Sequence, residues 1–193
     1  MAARAFAGLL YFTTATSTHI HHPLSRPPSG IASDIPASMG SPQPLKVDLS
    51  ADPNNSSVTC TIRNSDSERT ISFLTWDTPF DPTAINTGVL TLKDAETGNE
   101  VPSPGMKINR QMPPPRDALQ EIAPKSSAER QLNLSSPWIP TDGKKYLIGV
   151  QGSWRAVWAK PASSVTDDEL AAARGDEAMQ GSFHSESVEM ELS

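Results

Sequence analysis

Two carboxylates four positions apart, Asp77 and Asp81, have the spacing of a small chemical site. They lie in the stretch FLTWDTPFDPT, residues 73–83, on either side of Phe80. A pair of acids can share general acid and general base work, as in a hydrolase. Both acids also adjoin threonine or proline, residues that favour turns in which an aspartate accepts backbone N–H groups. Turn capping is therefore the favoured interpretation, and a hydrolase using Asp77 and Asp81 is the weaker alternative.

A histidine cluster and one thiol are the other chemically capable groups. The HIHH segment at residues 19–22 offers imidazoles to a transition metal, but no neighbouring pattern supplies the hydrogen-bond partners that orient such ligands. Cys60 is the only cysteine, so neither an intramolecular disulfide nor a thiolate zinc site can form. Cys60 also occupies an apolar position of a predicted strand, which favours a buried, inert thiol. The sequence predicts no metal, no cofactor and no catalytic residue.

Aromatic side chains are the candidate binding residues. Trp154, Ala156 and Trp158 alternate and are expected on one side of a strand, either in the core or as a face for a peptide or glycan. Phe80 is expected to close one end of the core. The alternative makes Phe80 an exposed anchor, with the two acids favouring a basic ligand. The candidate binding set is Phe80, Asp77, Asp81, Trp154 and Trp158.

Apolar residues recur with a period of two from Leu45 onward, which is typical of half-buried strands. Turn-forming segments such as DPNN, NSDSE and ETGNE separate them. This spacing predicts an all-β fold, an immunoglobulin-like antiparallel β-sandwich of seven to nine strands. The predicted strands cover residues 45–49, 58–62, 70–76, 89–94, 106–109, 128–134, 144–152, 154–159 and 187–192.

One short helix is predicted before the last strand, in TDDELAAARGDE. Thr166 occupies the N-cap position, and Glu169 completes a capping box three residues later. Gly175 is placed to end the helix at Arg174.

Composition divides the chain near residue 44. Residues 1–44 hold six of the 18 prolines but one acid and two arginines, which predicts a disordered tail or a targeting segment before a domain at 45–193. The start, AFAGLLYFTTATS, has features of a secretory signal or a transit segment. A start at Met39 is the alternative, and it makes a cytoplasmic location slightly favoured over secretion. The sequons at Asn54, Asn55 and Asn133 are modified only in a secreted chain.

The charge distribution excludes some partners. The net charge is −6, and the longest basic run is the pair Lys144 and Lys145. We therefore expect neither nucleic acid nor a membrane surface as a partner.

Several segments together resemble the non-catalytic N-terminal region of the fungal deuterolysin and peptidyl-lysine metalloendopeptidase family. They include LKVDLS, NSSVTCTIRNSDSERTISFLTWDTPFD and KKYLIGVQGSW, and the resemblance covers residues 45–155. Within it, residues 78–80 match a loop, 106–110 a basic strand, 123–126 a turn and 133–135 a strand end. The family's catalytic zinc helix, His-Glu-x-x-His, has no counterpart in this chain.

A non-catalytic binding or interaction module with a protein or peptide partner is the function that these observations favour. The alternative implied by the resemblance is a secreted protease-associated domain, acting as an inhibitor or folding assistant of a metalloprotease.

Overall fold

Antiparallel strands dominate residues 44–173 and 178–193, which are the residues described by this computed structural model. One sheet has three strands in the order β1-β2-β7, and the other has seven, of which β3, β4, β9 and β10 all pair with β8. The prediction of an immunoglobulin-like antiparallel sandwich is confirmed, with ten strands in place of seven to nine. The strands are β1 Leu45–Asp52, β2 Ser57–Asn64, β3 Ile71–Leu74, β4 Leu90–Asp94, β5 Glu100–Val101, β6 Leu119–Ile122, β7 Ser127–Asn133, β8 Lys144–Trp158, β9 Met179–His184 and β10 Val188–Leu192.

Strand β8 organises the larger sheet because it is 15 residues long and pairs along both edges. Strand β4 lies beside residues 146–150, with Leu90 opposite Val150. Strand β3 lies beside residues 157–158, with Phe73 opposite Val157. Both run antiparallel to β8, so the chain leaves the sheet after β3 and rejoins the same edge at β4. The segment between them, residues 75–89, is an excursion beside the middle of β8.

The main core lies between the two sheets. Val58, Cys60 and Ile62 of β2 are fully buried and pack with residues of β8, including Ile148. This confirms the predicted register of β2, since the intervening Thr61 is only half-buried. Burial of such side chains supplies most of the favourable free energy of folding.

A second apolar cluster covers the other face of the larger sheet. Phe73 points into the main core, so its neighbour Leu74 points to the opposite side. There Leu74 packs with Trp158 and with Leu170 of the helix.

The helix α1, Asp167–Ala172, begins as predicted. The Thr166 side chain accepts from the Glu169 N–H, and the Glu169 side chain accepts from the Thr166 N–H. The helix ends earlier than the predicted Arg174, because Ala173 has a left-handed φ of 41°. The predicted terminator Gly175 lies outside the described residues. The helix precedes both β9 and β10, whereas the prediction placed it before the last strand alone.

Three predictions about strands are wrong. Residues 106–109 are irregular and largely exposed, in a segment between prolines at 102, 104 and 113–115 that lack backbone donors. The family resemblance also assigned residues 106–110 to a strand. Residues 144–152 and 154–159 belong to one strand, β8, instead of two. Strands β5, β6 and β9 were not predicted, because their short sequences alternate weakly.

The predicted tail, residues 1–44, lies outside the described residues except for Pro44. Within residues 44–173 and 178–193, no helix has the length and apolar character needed to cross a bilayer.

Candidate functional site

The excursion at residues 75–89 is built from consecutive turns. The Thr78 N–H donates to the Thr75 carbonyl at 3.1 Å, and the Asp81 N–H donates to the Thr78 carbonyl at 3.0 Å. Pro79 and Pro82 have no N–H to offer a neighbouring strand. Asp77 has a left-handed φ of 60°, which turns the chain away from β3. The chain leaves the sheet near Asp77 as the prolines predicted, although β3 itself ends at Leu74, two residues before the predicted end at Trp76.

Phe80 closes one end of the main core. Its side chain is buried, and its ring meets the ring of Phe73 edge to face at a centroid distance of 5.9 Å. Trp154 packs on the other side of Phe73 at 5.1 Å and against Phe183 at 4.8 Å. The placement of Phe80 agrees with the favoured plug interpretation and leaves little of its ring for a partner.

Asp81 is buried inside the excursion and fully occupied. One carboxylate oxygen accepts from the Thr83 N–H at 2.9 Å and from the Thr83 hydroxyl at 2.7 Å. The other accepts from the Asp77 N–H at 3.1 Å and forms an ion pair with Arg110. The Arg110 guanidinium also lies 5.4 Å from the ring centroid of Trp76, within the range of a cation–π interaction. Asp81 therefore caps turns, as the favoured interpretation expected, and it also holds an arginine that the sequence analysis did not pair with it.

Asp77 is the exposed acid of the pair. Its carboxylate accepts from Nε of Arg155 at 2.5 Å, and the two side chains are 34% and 43% exposed. The Asp77 carbonyl oxygen packs against β8, where an added Cβ on Gly152 would lie only 2.4 Å away. Because each acid already binds an arginine of its own chain, the geometry does not favour a preference for a basic ligand or a catalytic carboxylate pair.

Two depressions adjoin the Asp77–Arg155 pair on the outer face of the larger sheet. Asp77 lines one, Arg155 lines the other, and Ser153 lines both. One, of about 590 Å³, is largely polar, and Gln151, Ser182 and His184 line it. We call this the polar depression. The other, of about 640 Å³, has a mixed polar and apolar lining, and we call it the apolar depression only because Trp76 and Met112 lie in it. Its lining residues are Leu74, Trp76, Met112, Ser153, Trp154, Arg155, Ala172, Ala173, Gln180 and Gly181.

Met112 is the most exposed large apolar side chain of the apolar depression. It is 53% exposed, and Met106, on the same irregular segment, is 52% exposed. Met106 does not line the apolar or the polar depression. The two methionines therefore form a natural comparison, since they match in type and exposure and differ in location.

The five predicted binding residues do not form one surface. Phe80, Asp81, Trp154 and Trp158 are all buried, so only Asp77 of this set reaches the surface through its side chain. The binding role of Asp77 stays a prediction.

The expected alignment of Trp154, Ala156 and Trp158 is wrong. A register shift lies between Trp154 and Val157 where β8 pairs with β9. This irregularity adds a residue, so Trp154 enters the main core while Ala156 and Trp158 enter the second cluster.

Sequence reasoning missed Arg155, Met112 and Gln180. The sequence held one weak indication of Arg155. A charged residue between Trp154 and Ala156 in a predicted strand is expected on the solvent-facing side of the sheet. Met112, flanked by Gln111 and a proline run, carried no pattern that separated it from an ordinary loop residue.

The remaining candidate groups give no reactive site among the described residues. Burial, with a smaller contribution from the negative charge of Asp48, raises the pKa of the Cys60 thiol to about 12, which agrees with the predicted inert thiol. Within residues 44–173 and 178–193, no three His, Cys, Asp or Glu side chains are grouped to hold a metal ion. The HIHH cluster lies outside the described residues.

Residues 44–192 match a family described as an immunoglobulin-like domain. An "Uncharacterized secreted protein" of Arthroderma benhamiae is 36% identical over 133 residues, which are 67% of this chain. The match covers 66% of that relative, slightly less than two thirds of its length.

Proposed function

We propose that this chain, which belongs to the immunoglobulin-like domain family, is a secreted, non-catalytic binding module for a protein or peptide partner. The observation that carries the proposal is the apolar depression, where exposed Met112 stands beside a floor of Leu74 and Trp76. Concave sites that combine apolar contacts with a few convergent polar groups are a usual form of binding site, and this depression offers both kinds of contact. Such immunoglobulin-like scaffolds serve many functions, so the site and not the fold supports this proposal.

The rim of the apolar depression defines the chemistry of the partner. Arg155 uses Nε for Asp77, and within the described residues its two terminal nitrogens have no hydrogen-bond partner. They can donate to a carboxylate or to a backbone carbonyl of a ligand. A peptide that places an apolar side chain on the floor of the apolar depression and an acidic group beside Arg155 uses both the apolar contact and the free donors of Arg155. The preference is thus for an acidic group, where the sequence suggested a basic one.

A peptide-display selection tests this function. Random peptides are selected on the immobilised full chain, and the affinities of the recovered peptides are measured against Met112→Glu and against the matched control Met106→Glu. We expect Met112→Glu to weaken binding at least about tenfold, because a charge then occupies the apolar contact. Met106→Glu should bind as wild type.

The melting temperature of both variants is measured alongside, and both should match wild type because each methionine is already exposed. Equal binding by the two variants, or selected peptides without apolar and acidic residues, would contradict the proposed site.

Secretion is part of the proposal because the Arthroderma benhamiae relative is named as a secreted protein. This favours the secretory alternative over the cytoplasmic location expected from a start at Met39. The mature N-terminus, determined by mass spectrometry on protein from the culture medium, tests it. Recovery of the chain only inside cells, with Met39 as its first residue, would contradict secretion.

A protease-associated role is the second candidate. It rests on the resemblance of residues 45–155 to the N-terminal region of deuterolysin-type metalloendopeptidases, together with the secreted relative. The test is to add the chain to such a protease, before and after denaturation of the enzyme, and to measure initial activity and refolding yield. A change in either that saturates with chain concentration supports this role, and unchanged values exclude it.

A further inference from the structure

We infer that Asn54 and Asn133 carry N-linked oligosaccharides that stand together at one end of the three-stranded sheet, with Asn133 at the end of the free edge of β7. The inference rests on the proposed secretion, since the modifying enzyme acts in the secretory pathway. Both residues have the required pattern, in Asn54-Asn55-Ser56 and in Asn133-Leu134-Ser135.

The two asparagines are exposed and close in the fold. Asn133 is the last residue of β7 and lies opposite Ser57 of β2. Asn54 lies in the 3-10 turn Pro53–Asn55 that leads into β2. The Leu134 N–H donates to the Ser56 carbonyl at 2.9 Å, which joins the two segments directly. Among the described residues, neither asparagine side chain has a hydrogen-bond partner, so each amide is free to carry a sugar.

The overlapping sequon at Asn55 is less suitable. The Asn55 amide donates to the Asp52 carboxylate at 2.7 Å, and attachment of a sugar disturbs this contact. Its required hydroxyl residue, Ser57, is buried and accepts a hydrogen bond from Gln131 at 2.8 Å. The folded chain therefore accommodates a glycan on Asn54 better than one on Asn55.

The chemical step needs a polyprenyl-diphosphate-linked oligosaccharide as the donor. The asparagine Nδ2 forms a bond with the anomeric carbon of the first sugar, and the bond from that carbon to the diphosphate oxygen breaks. The polyprenyl diphosphate leaves with the electron pair, and Nδ2 loses one proton. No oxidant or reductant takes part.

The position of Asn133 gives the glycan a structural role. Among the described strands, β7 pairs only with β2, so its other edge is open. An open edge can pair with another chain, and proteins protect such edges with charged or bulky groups. Leu132 points into the core, so Asn133 points to the outer face by alternation, where Gln131 is also exposed. A glycan there obstructs an incoming strand at the end of the edge.

The full chain is produced in a fungal secretion host, both with its own start and with an established signal sequence added ahead of it. Peptides are mapped after enzymatic deglycosylation in ¹⁸O-water, which marks each asparagine that carried a glycan. We expect marks at Asn54 and Asn133. Asn99, exposed but without a sequon, is the internal control and should be unmarked.

The two arms separate the two proposals. Secreted protein with unmarked Asn133, in either arm, overturns the inference. If the chain with its own start is absent from the medium, the proposed secretion is refuted. Marked asparagines in the arm with the added signal sequence would still support the glycan positions. Ser135→Ala, which keeps Asn133 but removes its sequon, should lose that mark alone and should self-associate more at high concentration in sedimentation experiments. Unchanged association would overturn the protective role.

Discussion

Gly152→Ala tests whether the 75–89 excursion packs against β8 as described. An added Cβ would lie 2.4 Å from the Asp77 carbonyl oxygen and 2.7 Å from Cζ of Phe183, closer than real Cβ contacts allow. The backbone at Asp77 must move, because a carbonyl cannot rotate away as a side chain can. Overpacking of this kind costs about 1–3 kcal/mol. For a domain of this size the melting temperature should fall by about 2–4 °C for each kcal/mol.

Gly149→Ala is the matched control on the same strand. Its added Cβ meets the hydroxyl oxygens of Thr91 and Ser187 at 3.0 and 3.3 Å, and these belong to side chains that can move. Calorimetry and urea unfolding of both variants should show a clearly larger loss of stability for Gly152→Ala. A melting temperature equal to wild type, or an equal loss in Gly149→Ala, would refute the close packing of Asp77 on β8.

Three further predictions concern the core, the ion pairs and pH. Ile62→Ala should lose about 2–5 kcal/mol of unfolding free energy through lost burial and a residual cavity. Thr61→Lys should unfold at nearly the same urea concentration as wild type. If Thr61→Lys is the destabilised variant and Ile62→Ala is not, the β2 register is shifted by one residue. Arg110→Ala should lower the free energy of unfolding by about 3–5 kcal/mol, because it leaves the buried Asp81 carboxylate without its ion-pair partner. Arg155→Ala removes a partner from an exposed ion pair and should cost at most about 1 kcal/mol. Equal losses of stability in thermal melts of the two variants would disprove the difference in burial. The pKa of the Cys60 thiol is raised from 9.0 to about 12 in the folded chain, so the unfolded chain releases this proton at a lower pH. The free energy of unfolding should therefore fall as pH rises from 9 to 12, by up to about 1.4 kcal/mol per pH unit. The same pH slope in Cys60→Ala would rule this out.

The sequence predicted the sandwich because alternation is a local property of each strand. Val58, Cys60 and Ile62 point inward whatever lies beyond β2, and the capping box at Thr166 and Glu169 depends on four consecutive residues. The irregularity in β8 has no such local signature. It arises where β8 pairs with β9, about 25 residues later in the chain, so the sides taken by Trp154 and Trp158 could not be read from their spacing.

The predictable parts of the site are those in which the contacting residues are close to each other in the sequence. The turn formed by Asp77 to Asp81 and the burial of Phe80 follow from prolines and aromatics within one stretch. The arginines that neutralise the acids lie far away, Arg110 29 residues after Asp81 and Arg155 78 residues after Asp77. Without these partners the two acids suggested a basic ligand. With them, the remaining donors of Arg155 support the proposed preference for an acidic group on the ligand.

The proposed binding site and the proposed glycans occupy different layers of the sandwich. Leu74 faces away from the main core, so the apolar depression lies on the outer face of the seven-stranded sheet. Asn133 lies on the outer face of the three-stranded sheet, with the main core between the two faces. Oligosaccharides at Asn54 and Asn133 would therefore leave Met112 and Arg155 uncovered, while the one on Asn133 protects the edge of β7. In the proposed arrangement, one bare face is left for the partner and the glycosylated face is turned to solvent.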